Sequence, residues 1–185
     1  MFFNKEKIYM GSFIRGIASE ILAIKPYTFA DYLQNDTDEI LSQEEFEAFN
    51  EQIPLLQNLI LFAIMLEAVN NGKINYSPLD LGMTYAKAFS LAAEDHNIPL
   101  EEVNSLYDKL LSEMNEYLGY LVDVSDEEFA KNSYGTYMCM YFGSRFSFPA
   151  DNYDKRTKYV ILVNNQKKIM QGYFKEKLSR VKIIG

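Results

Sequence analysis

The residues best suited to ligand chemistry lie between Tyr134 and Phe148. Tyr137, Tyr141 and Arg145 recur at steps of four, which sets two phenols and a guanidinium along one side of a helix. A guanidinium beside aromatic faces can hold a planar or anionic ligand by cation–π attraction and forked hydrogen bonds. A structural role competes with this one. An Arg drawn into a core needs a carboxylate, and Glu67, inside the most apolar run of the chain, is the candidate partner. Tyr137, Tyr141, Arg145 and Glu67 therefore form the expected ligand-binding set or, on the competing reading, a buried ion pair with its aromatic surroundings.

The acidic stretch over residues 35–46 carries metal-ligating side chains. Its spacing resembles the second half of an EF-hand calcium loop, with Glu45 twelfth and Asp36 and Asp38 third and fifth. Gln34 stands where the first Asp belongs, and Glu39 where the loop needs Gly for its sharp turn. Leu41, Ser42, Glu45 and Phe46 also spell a capping box with a hydrophobic staple. Val124, Ser125, Glu128 and Phe129 repeat that pattern with no acidic loop before it, so helix punctuation is the simpler reading and no metal is expected.

Other chemistry is sparse. His96 is the sole histidine, expected as an exposed or capping residue at a helix end. The lone Cys139 sits among Tyr, Met and Phe as apolar filler and cannot form an intramolecular disulfide. There is no glycine-rich phosphate loop, His-Glu-x-x-His or Cys-x-x-Cys, so no cofactor is expected.

Charge is segregated. Residues 154–185 carry nine Lys or Arg against Asp154 and Glu176, a formal +7, which leaves −15 for residues 1–153 within the overall −8. Such asymmetry marks interaction surfaces. Lys167, Lys168, Lys175 and Lys182 are the basic candidates for binding a partner. Glu101, Glu102, Asp108 and Glu113 are the acidic ones, on the polar side of the helix that Pro99 opens. A protein partner is the expected use of both sets, with self-association as a dimer a further use. Nucleic-acid binding through the basic segment is the alternative, opposed by the −15 elsewhere.

The element that must position all of these runs from Pro54 to Gly72. Every side chain from Leu59 to Leu66 is apolar, so this helix is hydrophobic all round and belongs at the centre of a fold. Its run falls short of the ~20 residues that cross a bilayer, and Gln57, Asn58 and Glu67 interrupt it, so no membrane span is expected. Around it the spacing predicts helices over 5–24, 43–52 and 78–95, from Pro99 to about Leu121, and from Ser125 through Arg145. The strand alternation of Tyr137, Cys139 and Tyr141 is a competing reading of the last. Residues 154–185 read as a helix packed through Tyr159, Val163, Met170 and Phe174. A hairpin turning at Asn164-Asn165 is the alternative.

The expected fold is thus one all-α domain over residues 1–185, seven or eight helices around residues 55–69. The N-terminus lacks the layout of a secretory signal, and a cytoplasmic location is expected. Richness in Asn, Lys, Ile and Tyr suggests an AT-rich source such as a low-GC bacterium, its mobile elements or phage. The leading functional expectation is a non-enzymatic protein–protein interaction module of regulatory or inhibitory kind. A nucleic-acid binder using residues 154–185 comes second. A small-molecule binder or an unrecognised enzyme using residues 134–148 comes third.

Overall fold

The computed structural model describes residues 5–24, 28–30, 41–124, 132–145 and 153–184, without the side chains of 144 and 145. In chain order the described elements are β1 (Glu6–Tyr9), α1 (Met10–Leu22), α2 (Gln43–Asn50), α3 (Ile53–Asn70), α4 (Pro78–Asp95), α5 (Leu100–Val122), α6 (Tyr134–Arg145), α7 (Tyr153–Arg180) and β2 (Val181–Ile184). The fold is an all-α bundle, with one two-stranded sheet the sequence reading does not anticipate.

The central helix is α3. Leu59, Ile60, Leu61, Phe62, Ala63 and Met65 are all buried, on every side of it. It is long and apolar enough to cross a membrane by composition, but most of its residues are buried inside the bundle. Three of its polar residues address three different neighbours. Gln57 Nε2 donates to Gln166 Oε1 of α7 at 2.8 Å. Asn58 Oδ1 accepts from the Tyr85 hydroxyl of α4 at 3.1 Å. Glu67 Oε2 accepts the backbone N–H of Tyr134, the first residue of α6, at 3.1 Å. Satisfied buried hydrogen bonds of this kind fix which helix lies where on a surface that apolar contact alone leaves interchangeable.

Helix ends follow local chemistry. Ser42 Oγ accepts the Glu45 N–H at 3.2 Å while Glu45 Oε2 accepts the Ser42 N–H at 2.8 Å, a complete capping box on α2, and Leu41 and Phe46 beside it are buried. Ser42→Ala should cost about 0.5–2 kcal/mol, the usual range for cap loss, with calcium leaving the melting temperature unchanged. Calorimetric unfolding with and without calcium checks both. α3 closes with a Schellman motif: Gly72 takes φ +68°, Lys73 N–H reaches Ala68 C=O and Gly72 N–H reaches Val69 C=O. Asn97 at φ 58° ends α4 the same way, through Ile98 N–H to Ala93 C=O, and Pro99 then starts α5. The second capping box, at Ser125, lies outside the described residues.

Two sequence expectations need correction, and one alternative falls away. Residues 6–9 form a strand, not the start of the first helix, and pair in parallel with β2 in the register Glu6↔Val181 to Tyr9↔Ile184. The helical reading of residues 154–185 holds over Tyr153–Arg180, so the alternative hairpin at Asn164-Asn165 is not formed. Asn164 Nδ2 turns back to the Val160 C=O of its own helix at 2.9 Å, and Tyr159, Val163, Met170 and Phe174 are all buried. The helix expected from Ser125 through Arg145 is interrupted at residues 132–133, and α6 begins at Tyr134, where Ser133 Oγ accepts the Thr136 N–H. α7 packs on α3 and α6, and the sheet then joins the two ends of the described chain.

Candidate functional site

The aromatic stripe of α6 lies inside the bundle. Tyr137 and Tyr141 are buried, and the Tyr141 hydroxyl donates to Glu113 Oε2 of α5 at 2.9 Å. The rings of Tyr117, Tyr120 and Tyr141 form a triangle with centroid separations of 6.5, 5.7 and 5.8 Å. The Tyr117 hydroxyl donates to the Tyr134 carbonyl at 2.7 Å, and burial pushes its pKa far above the ordinary phenol value. The Tyr117 phenol is therefore neutral at physiological pH, and Tyr117 and Tyr141 act as hydrogen-bonded packing. Glu67 stands at the N-terminal end of α6, where a carboxylate complements the helix dipole. Arg145 is the last residue of α6, at the opposite end, and its side chain lies outside the described residues.

The charged candidates divide. Glu101, Glu102 and Asp108 are exposed on α5, whereas Glu113 is only 8% exposed and belongs to the core with Tyr141. Its position between Leu110 and Tyr117, three and four residues away, was the available sequence signal. Lys168, Lys175 and Lys182 are exposed, with Lys182 in β2 opposite Lys7. Lys167 is half-buried and donates to Thr136 Oγ1 at 3.3 Å.

Part of the basic segment is spent on the chain's own acids. Lys155 pairs with Glu45, which is thereby both capping residue and ion-pair partner, and Lys177 pairs with Glu20. Burial depresses the pKa of Lys158. Asp36 and Asp38, the other calcium candidates, lie outside the described residues, as do Gln34 and Glu39.

These pairs have a pH consequence. Lys177, then the Tyr173 hydroxyl, hold Glu20 below its ordinary pKa, Lys155 and the Ser42 N–H do so for Glu45, and Arg15 does so for Asp95. A carboxylate whose folded pKa is depressed binds fewer protons than in the unfolded chain. Its contribution is complete above the unfolded value and is lost as pH falls through the folded one. Urea midpoints should therefore hold steady above about pH 5 and drop below about pH 4. Glu45→Gln should flatten that acid limb.

The two lone reactive residues have structural surroundings. Ser19 Oγ and His96 Nε2 lie 2.8 Å apart on the surface, beside the Arg15–Asp95 pair, and together these contacts tie α1 to the end of α4. Burial raises the Cys139 thiol to a pKa of about 11, so it is protonated at neutral pH.

What sequence reasoning missed is an apolar groove of about 430 Å³ between α4 and α5. Leu111, Leu118 and Leu121 of α5, Leu66 of α3 and Gly82 of α4 line it. Leu79, Met83 and Val122, also lining it, are exposed by 92%, 57% and 83%. Gly82 carries no neighbour within 4 Å of where a Cβ would stand, so the absent side chain keeps the groove open.

No protein-family model, curated protein or solved structure matches the chain. Function is therefore argued from the surfaces themselves. The groove spans residues 111–122 on α5, about 16 Å at 1.5 Å per residue. That is the length of three turns of a docked helix. On the same stripe of α5, Asp108 and Glu101 continue beyond Leu111 and are exposed.

Proposed function

We propose that this protein is a non-enzymatic protein-interaction module, a small cytoplasmic regulator or inhibitor that receives an amphipathic helix of a different protein in the α4–α5 groove. The observation that carries the reading is the set of three large apolar side chains, Leu79, Met83 and Val122, left exposed around one elongated groove. Contiguous exposed apolar surface marks interaction sites, whereas single exposed residues do not. Helix-in-groove recognition uses apolar anchors at i, i+3, i+4 and i+7. Methionine at the rim suits such a surface because its side chain adapts to its partner. The flanking charges are Glu101, Asp108 and Asp123, so the partner helix should be basic beside its apolar stripe.

Nucleic-acid binding, the competing use of the basic segment, has less to work with. Lys155 and Lys177 are paired internally and Lys158 is buried.

The test is a fluorescence-anisotropy titration of a model helical peptide with leucine anchors and lysine flanks. Saturable binding that weakens with salt is expected. Gly82→Leu should fill the groove and abolish binding. It should also raise stability by about 0.5–1 kcal/mol, the usual gain on replacing a mid-helix Gly. Equal binding by the variant would refute the assignment. So would a dimer in sedimentation that Leu79→Asp disperses, since the groove's occupant would then be a second copy.

A further inference from the structure

A second opening lies against a different face of α3 and belongs to none of the surfaces described so far. It is a cleft of about 480 Å³, within the range of small-molecule sites. Its floor is apolar: Ile64 and Ala68 of α3 with Phe174 and Leu178 of α7. Its lining also includes three lysines that come together from widely separated parts of the chain. Lys73 is placed by the Schellman turn at Gly72, Lys175 by α7, and Lys5 by the approach to β1. Lys5 Nζ donates to the Leu178 carbonyl at 3.3 Å, which holds it to the same wall. Ser133, Ser179 and Gln171 also line the cleft. Glu67 is its one carboxylate among the described residues, already engaged by the Tyr134 N–H.

Among the described residues, three ammonium groups against one carboxylate leave a net charge of +2 around an apolar floor. A wholly polar anion would leave that floor unsatisfied, and a neutral apolar ligand would gain nothing from the lysines. We infer that the cleft binds a single-chain anionic amphiphile, its alkyl chain on Ile64, Ala68, Phe174 and Leu178 and its head group between Lys73 and Lys175. The shared chemistry is one short anionic head, carboxylate or phosphate, on an alkyl tail.

The experiment uses the full chain with dodecanoate, dodecyl phosphate and dodecyltrimethylammonium as probes. Each is titrated below its critical micelle concentration by calorimetry, and the contacts are mapped by NMR. Both anions should bind saturably and shift the side-chain signals of Ile64, Phe174 and Leu178. The cationic probe should bind at least about tenfold more weakly, the size expected when charge-assisted hydrogen bonds are lost. A preference between the two anions identifies carboxylate or phosphate as the natural head. Lys73→Gln with Lys175→Gln changes exposed residues only, so the fold should persist while anion affinity falls about tenfold or more. The same change at Lys87 and Lys109, exposed residues outside the cleft, should leave affinity unaltered. Indifference to head-group charge, an unchanged Lys73/Lys175 variant, or shifts confined to the α4–α5 groove would each overturn the assignment. So would no saturable binding.

Discussion

A chain ending at Tyr153 will lose its cooperative thermal transition. The basic C-terminal segment has the composition of a solvated tail, and a tail could be removed without effect. α7 instead supplies four buried side chains, Tyr159, Val163, Met170 and Phe174. The Tyr159 ring lies 5.7 Å from that of Phe49 and the Phe174 ring 6.1 Å from that of Phe13, so α2 and α1 both lose a wall. Gln57 loses Gln166, and β1 loses its only described partner strand. Fully burying an apolar side chain is worth about 1.5–3 kcal/mol. Four such losses together rival the ~5–15 kcal/mol net stability of a whole domain. Circular dichroism on heating should show a shallow, broad change in place of a sigmoid. A sharp transition near the full-length melting temperature would show that α7 is dispensable.

Asn58→Leu will destabilise more than its conservative volume suggests. Asn58 is 1% exposed and donates to the Pro54 carbonyl at 2.8 Å while accepting from Tyr85, itself fully buried. Leucine leaves the Tyr85 hydroxyl without its acceptor in a site where burial already pushes its pKa well up. A stranded buried polar group costs about 1–3 kcal/mol, whereas removing both partners together can be nearly neutral. Tyr85→Phe added to Asn58→Leu should therefore restore much of the loss. Denaturant titration of the two single variants and the double reads the coupling directly. Strictly additive losses would mean that this hydrogen bond does not link α3 to α4.

Asn58 also shows how much of the fold was legible. The apolar run around it located the central helix, because a helix hydrophobic on all sides has nowhere else to go. The start of α4 at Pro78 was likewise legible, because proline suits the first turn of a helix. The end of α4 at Asp95 was legible too, although Asn97 beyond it adopts its left-handed conformation without the glycine that usually signals a helix stop.

The sheet was not legible for a different reason. Residues 6–9 run without a break into the apolar spacing of α1, and the strand is seen only in the pairing of Ile8 with Ile183, from the far end of the chain. Local pattern cannot encode a partner at that separation. The candidate sites divide in the same way. The Tyr137–Tyr141 spacing was visible, but a core stripe and a ligand-binding stripe have the same period. Glu113 was read by its charge, although its phase with Leu110 and Tyr117 placed it inside. The groove and the lysine cleft depend on helix spacing and on residues brought together from distant segments, which no periodicity reports.

The docking proposal rests on the groove around Gly82, and amide chemical-shift mapping of the lysine-flanked leucine peptide probes it most directly. The amides of α4 near Leu79 to Met83 and of α5 near Leu111 to Val122 should shift in a saturable manner. Those of α1 and α2 should stay in place, and Gly82→Leu should suppress the response while keeping a folded spectrum. Shifts centred on α7, or a response undiminished in Gly82→Leu, would contradict helix docking in the α4–α5 groove.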